Sequence, residues 1–249
     1  MDRAAKCVEL IDSDSSMRLA ASKPHTDSKL QAQFELAKWA AIVAMTLDHY
    51  GKIVDPSVYS ETNAIGRLAF PLFAWIIGAR LSIDASLGQR YLRHLVLWAF
   101  VTQPVYVWAG KTWAEPNIFF TLAVGVLLHL AIVERQNQAT RIASYGAVLA
   151  YLAVGANYGV LGLLMIPVIA GLSVIRVTLG AYAVGPLGVL SNLVAGAPYL
   201  GPGASWALLA SVIAWLSMRA TLLLPRLPKF LFYAYYPAHL VVLRWLASQ

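Results

Sequence analysis

The sequence predicts an all-α protein that crosses a membrane about nine times as a helical bundle. Three features predict this fold class. Of the 249 residues, 59% are hydrophobic, only 12% are charged, and the apolar residues are grouped into long segments. Soluble domains carry about 25% charged residues, so roughly half of the charge that a water-exposed surface needs is missing.

Nine segments meet or approach the length of about 20 mostly apolar residues that a membrane-crossing helix needs. They are Glu35–Tyr50, Ala64–Ile83, Leu92–Trp108, Asn117–Val133, Ile142–Val154, Tyr158–Ile175, Val177–Val194, Ala204–Ala220 and Phe230–Ala247. The fifth segment is short and the sixth and seventh nearly touch, so eight spans is an open alternative. Residues 1–34 are polar and lack the apolar region of a signal peptide. They are predicted to form a cytoplasmic tail before the 35–249 membrane domain.

The positions of Lys and Arg predict the orientation, because cytoplasmic links carry an excess of both. The tail and every second link are enriched in them, whereas the opposite side carries Lys52, Lys111 and Arg244. This pattern predicts a cytoplasmic N-terminus, an external C-terminus and a bacterial inner-membrane location, with lipid as a partner. The cations form no basic run with interleaved aromatics, so the net charge of +7 predicts no nucleic-acid partner.

Polar residues near the outer ends of the first two spans are the first candidates for chemistry, since ionisable groups in a membrane are costly. Asp48 and His49 close the first span, and Arg67 lies near the start of the second. Histidine ordinarily titrates near neutral pH, so His49 is predicted to be a general base or a transient acyl carrier. Asp48 and Arg67 are predicted to form an ion pair that orients His49 and stabilises developing charge. The alternative for Asp48 and His49 is a helix end that fixes the headgroup boundary.

A second group lies in the last span. His239 follows Pro237, which is predicted to kink the helix and free backbone carbonyls. Tyr233 and Tyr236 lie about one turn from His239, so these side chains are predicted to line an interior cavity. A histidine in this position can also be a satisfied core residue.

A third group marks the external starts of other spans: Gln103, Asn117 and the pair Asn157 and Tyr158. Their shared side of the membrane suggests a place where a substrate is held. Asn117 can equally cap its helix, and Tyr158 can belong to the aromatic belt at the interface.

Five strings carry a resemblance to a known family. The strings AIVAMTLDHY, IGRLAFPLFAW, NIFFTLAVGVLLH, NYGVLGLLMIP and FYAYYPAHLVVL, in this order and spacing, resemble the TraX family, which acetylates the N-terminus of conjugative pilins and belongs with the integral membrane acyltransferases. The resemblance runs from about Leu36 to Leu243. It implies transfer of acetyl from cytoplasmic acetyl-CoA to the terminal amine of a pilin subunit at the periplasmic side.

Under this resemblance, His239, Tyr236 and Tyr233 would line the acetyl path, and Asn117, Tyr158 and Gln103 would position the acceptor. The phosphates of acetyl-CoA need cations, which the cytoplasmic arginines would supply. These are Arg80, Arg90, Arg93, Arg141, Arg219 and Arg226. The orientation rule alone also explains these arginines. No metal is expected, since no zinc-type spacing is present.

Other functions remain open from the residues. They are acylation of a glycan or lipid hydroxyl, another step of pilin maturation, a small-molecule transporter, and a structural or regulatory membrane subunit. No internal repeat is visible, which argues against many transporter folds. The sequence does not predict an oligomeric state.

Overall fold

The computed structural model describes residues 33–133, 138–154, 158–194, 202–219 and 224–249. Throughout these ranges the regular secondary structure is helical, which confirms the all-α prediction. The helices are α1 (Glu35–Ile53), a short 3-10 helix (Pro56–Val58), α2 (Tyr59–Gly66), α3 (Ala69–Ile83), α4 (Leu87–Trp108), α5 (Ile118–Val133), α6 (Gln138–Val154), α7 (Gly159–Ile175), α8 (Val177–Val194), α9 (Pro202–Arg219) and α10 (Lys229–Leu246). Almost all of the predicted tail, and Asn157, lie outside the described residues.

Each of the nine predicted apolar segments corresponds to one long helix. The second and third segments begin at different residues from the helices that they predicted. The second segment is divided, because the short α2 ends at Gly66 and α3 begins at Ala69. Helix α4 begins at Leu87 rather than at Leu92. Its first turns carry polar side chains that are good helix formers but fail an apolarity test. The sixth and seventh segments are separate helices, since Arg176 between them has an extended backbone.

Among the described residues, the stretch 56–83, which contains the 3-10 helix, α2 and α3, is the one candidate that is both long and apolar enough to cross a membrane. The apolar window of this stretch is 78% buried, and a buried core helix of a soluble protein has the same property. Several other helices are apolar but shorter. They are Ile118–Val133, Arg141–Val154, Gly159–Ile175, Val177–Leu193 and Trp206–Arg219.

Helix α3 is the centre of the bundle. It packs against α1, α7 and α8, and from Ala69 to Ala79 its side chains are apolar and buried on every face, as expected of an enclosed helix. Leu72 and Trp75 have no exposed surface. Gly78 lets α7 approach closely, because a Cβ there would lie 3.0 Å from the carbonyl oxygen of Ile166.

The outer faces of several helices carry large apolar side chains that no other part of the described chain covers. Phe100 on α4, Leu149 on α6 and Val174 on α7 are 65%, 67% and 71% exposed. A water-soluble monomer rarely exposes a large contiguous apolar patch, so these side chains agree with the predicted membrane location.

Candidate functional site

The first and last long helices bring together two histidines that are 190 residues apart in the sequence. His49 Nδ1 on α1 lies 2.7 Å from His239 Nε2 on α10. The two rings lie edge to edge and nearly parallel, with centroids 5.0 Å apart and planes 22° apart. One turn away, the hydroxyls of Thr46 and Tyr235 form a second link between the two helices at 2.7 Å. We call His49 and His239 the histidine pair.

The hydrogen bonds of the histidine pair determine which nitrogen carries a proton when both rings are neutral. His239 Nδ1 lies 2.9 Å from the carbonyl oxygen of Tyr235. A carbonyl only accepts, so Nδ1 of His239 carries the hydrogen and its Nε2 carries a lone pair. His49 Nδ1 then donates to that lone pair, which leaves Nε2 of His49 unprotonated. The geometry therefore presents His49 Nε2 as a base.

The ion pair predicted between Asp48 and Arg67 is not formed. Asp48 instead accepts from Lys52 Nζ at 2.5 Å, one turn along the same helix, and from Asn63 Nδ2 on α2 at 2.8 Å. Arg67 donates to Asn192 Oδ1 on α8 at 3.1 Å. The prediction was wrong because a partner within one helical turn and an amide on the facing helix already hold the carboxylate.

Two glycines allow the hairpin of α1 and α2 to close tightly around Asp48. A Cβ at Gly66 would overlap the side chain of Asp48, and a Cβ at Gly51 would overlap Thr62 Oγ1. Only a residue without a side chain fits at either position. The site therefore depends on backbone packing as well as on its polar residues.

The polar residues of this region surround a small cavity of about 170 Å³, which we call the smaller cavity. It lies where α1 ends and where α3, α5 and α7 begin. Five predicted site residues line it: Asp48, His49, Arg67, Tyr158 and Tyr236. Tyr158 is held flat against Phe70, with ring centroids 3.9 Å apart. His239, which was predicted to line the acetyl path, contacts His49 and lines neither this cavity nor the larger one described below.

Lys52, Lys111 and Glu115 also line the smaller cavity. Lys52 and Lys111 were predicted only to mark the external side of the membrane. In the described part of the chain, no three His, Cys, Asp or Glu side chains converge to hold a metal ion.

Gln103 and Asn117 do not line either cavity, because they are bonded to each other. Gln103 Oε1 accepts from the backbone and the side-chain nitrogen of Asn117 at 3.0 and 2.8 Å. Asn117 Oδ1 accepts from the backbone N–H of Phe119, which caps the start of α5. The side chain of Asn117 is completely buried. The predicted contact with an acceptor is therefore replaced by a structural role that fixes α5 against α4.

A second cavity of about 610 Å³, the larger cavity, occupies the opposite end of the same helices. Its interior is apolar and aromatic, and Tyr233 belongs to its wall, where its ring stacks on Trp98 with planes 9° apart. Charged residues gather where α1, α4 and α10 begin and α3 ends. These are Glu35, Lys38, Arg80, Arg90, Arg226 and Lys229.

The six arginines predicted to bind phosphate divide into two groups. Arg80, Arg90 and Arg226 line the larger cavity. The other three lie elsewhere. Arg93 Nε reaches back to the carbonyl of Gln89, Arg141 is exposed on α6, and Arg219 lies over the ring of Trp215. Lys38 and Lys229, which also line this cavity, were not predicted to bind phosphate.

Four side chains line both cavities: Met45, Phe73, Ile118 and Tyr236. The two cavities therefore lie on either side of these four side chains, and His49 lines the smaller one.

Comparisons with known proteins indicate the same family as the five sequence strings. A family model described as TraX protein matches residues 33–247. The chain belongs to the TraX family. It is 35% identical over 150 residues to Protein TraX of Escherichia coli strain K12. The aligned region covers 57% of this chain and 60% of that relative. It is 33% identical over 164 residues to a second Protein TraX of Escherichia coli. Here the aligned region covers 63% of this chain and 66% of that relative. No solved structure matches the chain.

The matched range of the TraX family model includes both members of the histidine pair, whose contact sequence reasoning missed. His49 was placed at the outer end of a helix ending at Tyr50, and His239 at mid-membrane. Helix α1 continues to Ile53, so His49 lies a turn further from the helix end, at the level of His239. A first helix predicted to continue to Ile53 would have placed His49 at the same depth as His239 and indicated their contact.

Proposed function

We propose that this chain is an integral membrane acetyltransferase that moves an acetyl group from acetyl-CoA to the terminal amine of a conjugative pilin. The observation that carries the proposal is the histidine pair. His49 lines the small polar cavity, next to the side chains that also border the larger apolar cavity with its rim of cations. Membership of the TraX family supports it, because the resemblance implies pilin acetylation.

The membrane location is supported by the exposed apolar faces of the outer helices, such as Leu97 and Phe100 on α4. It is also supported by the nine long helices of the described ranges and by the distribution of Lys and Arg. On this account, the larger cavity opens on the cytoplasmic side and the smaller cavity on the periplasmic side.

The larger cavity suits the donor. Phosphate groups pair well with Arg and Lys, and Arg80, Arg90 and Arg226 lie at the charged end of this cavity. Its apolar interior suits the long arm that separates the nucleotide of acetyl-CoA from its thioester. The thioester would then reach the side chains shared by the two cavities, beside His49.

The smaller cavity suits an amine acceptor. A carboxylate offers about four lone-pair sites, so Asp48 can hold an ammonium in addition to Lys52 and Asn63. A chain-terminal amine has a pKa of about 7.7–8.0, whereas a lysine side chain has about 10.4. The terminal amine therefore loses its proton near neutral pH at much lower cost.

The reaction follows from these positions. The bound ammonium first releases one proton to solvent and becomes the neutral amine. The amine nitrogen then attacks the thioester carbonyl carbon, and His49 Nε2 takes a second proton from that nitrogen, while His239 accepts from His49 Nδ1–H and holds the ring in place. The C–S bond breaks, and the leaving sulfur takes the proton from His49 as CoA–SH. The Arg67 guanidinium, held by Asn192, lies on the same cavity and stabilises the negative oxygen that develops.

The test is intact mass and tandem mass spectrometry of mature pilin from cells with the wild-type protein, with His49→Ala, and with neither. One acetyl group on the pilin N-terminus is expected with the wild type alone. The His49→Ala protein must be present in the membrane at the wild-type level. An unmodified pilin in all three strains, or acetyl on a lysine or glycan, would overturn the proposal.

A further inference from the structure

The junction of the two cavities is built from four side chains on four different helices. They are Met45 on α1, Phe73 on α3, Ile118 at the start of α5, and Tyr236 on α10. Met45, Phe73 and Tyr236 are only 7%, 8% and 4% exposed, so other side chains pack closely against all three. We call these four residues the constriction.

The constriction lies directly beside the histidine pair. Met45 is one helical turn before His49 and shares its face of α1. The Tyr236 ring is 5.8 Å from the His49 ring and 5.5 Å from the His239 ring. Phe73 is fixed edge-on by Phe232, with centroids 5.5 Å apart. A donor that reaches His49 from the larger cavity therefore has to place its acyl group against these side chains.

We propose that the constriction selects the acyl group, so that the two-carbon acetyl group is transferred and longer chains are rejected. This inference rests on the proposed function. The larger cavity, at about 610 Å³, has room for a longer chain, so its walls give no reason for rejection. Selection has to occur where closely packed side chains border the reacting carbon, because a packed interior resists added methylenes.

The space beyond the constriction also disfavours a longer chain. The smaller cavity is about 170 Å³ and is bordered by Asp48, Lys52 and Arg67. An alkyl tail pushed into it would displace water from charged groups without offering them hydrogen bonds, which is unfavourable. An acyl chain longer than acetyl therefore fits neither at the constriction nor past it.

Phe73 and Met45 are the residues to change, because neither carries a polar group that the transfer uses. Phe73→Ala removes a ring from the constriction, and Met45→Ala shortens a flexible chain beside His49. Phe230→Ala is the matched control. Phe230 also lines the larger cavity, but it is 68% exposed and its ring contacts Trp98.

The experiment uses purified full-length protein in detergent and unacetylated pilin from cells that lack it. Acetyl-, propionyl- and butyryl-CoA are compared, and the acylated pilin is measured by intact mass. In the wild type, each added methylene is expected to lower kcat/KM by at least about tenfold. Phe73→Ala and Met45→Ala are each expected to remove most of this difference, and Phe230→Ala to keep it. Unfolding temperature shows which variants are folded.

The outcomes separate the two proposals. Equal transfer of the three acyl groups by the wild type would overturn the constriction as a selector and leave acyl transfer standing. The constriction is also overturned as a selector if folded Phe73→Ala and Met45→Ala both keep the wild-type preference, or if Phe230→Ala relaxes it equally. Absence of transfer from every donor by the wild type would overturn the proposed function, and this inference with it.

Discussion

The smaller cavity and the larger cavity hold their charged groups in different ways. In the smaller cavity, three groups have a partner on another helix: Asp48 accepts from Asn63, Arg67 donates to Asn192, and His49 is bonded to His239. In the larger cavity, Glu35 and Lys38 pair with each other along α1, Arg90 and Lys229 are exposed at the rim, and the interior wall is apolar and aromatic.

Under the proposed function, this difference separates the site of chemistry from the site of donor binding. Groups fixed before the substrate arrives do not have to reorganise during the reaction, which is the condition for electrostatic catalysis. Exposed cations can adjust to a flexible anionic ligand but cannot hold a reacting atom in place. We therefore expect substitutions around the smaller cavity to lower the rate of transfer, and substitutions at the rim of the larger cavity to weaken donor binding.

Among substitutions outside the histidine pair, the largest effect is expected from Gly66→Ala, which adds no charge and removes no polar group. The new methyl group would overlap Asp48 and displace the hairpin beside His49. A displacement of about 1 Å in a reactive geometry can lower a rate about 100-fold. The measurement is kcat for pilin acetylation.

Gly171→Ala is the matched control for that change. Gly171 lies in α7, and nothing surrounds the position of its added Cβ within 4 Å. Alanine in a helix is favourable by up to about 1 kcal/mol relative to glycine. Wild-type activity and stability are therefore expected, and an equal loss in both variants would show that Gly66 has no special place at the site.

A smaller and different effect is expected at the rim of the larger cavity. Arg80→Gln, Arg90→Gln and Arg226→Gln should each raise KM for acetyl-CoA about tenfold, with kcat nearly unchanged, because a hydrogen bond to a charged group contributes about 1.5–3 kcal/mol. Arg93→Gln, Arg141→Gln and Arg219→Gln are the controls, since these arginines lie outside the cavity. An equal rise in KM in both sets would contradict the division.

The smallest effect is the coupling between Asp48 and Arg67. Because each is bonded to a different residue, the losses in free energy of unfolding from Asp48→Asn and Arg67→Gln should add to within about 0.5 kcal/mol in the double variant. Asp48→Asn with Asn63→Ala should couple more strongly, since these two share a hydrogen bond. Strong coupling of Asp48 with Arg67 would restore the ion pair that the sequence suggested.

The helices could be predicted from the sequence because apolar length is a local property. The nine segments lie within a few residues of the observed helices, and α3 was predicted with the same final residue, Ile83. The division at Arg67 could not be predicted, since the run from Ala64 to Ile83 is apolar on both sides of it. Helix breaks inside an apolar segment are decided by packing.

The candidate site could be predicted only in part. His49, Asp48, Arg67, Tyr158 and Tyr236 share one cavity, because polar residues in apolar segments are few and cluster at helix ends. Their pairing could not be predicted, because it depends on the depth and rotation of each helix. Gln103 and Asn117 illustrate this: their position was predicted, but they bond to each other.

The most direct test of the central claim is a double-mutant comparison of the histidine pair. Acetyl transfer to pilin is measured for His49→Ala, His239→Ala and the double variant, with protein level and unfolding temperature as controls. If His239 acts by positioning the base, the double variant should transfer no more slowly than His49→Ala alone, which should be lower than the wild type by about 10²–10⁴-fold. A wild-type rate in His239→Ala, or losses that multiply in the double variant, would contradict the positioning role of His239.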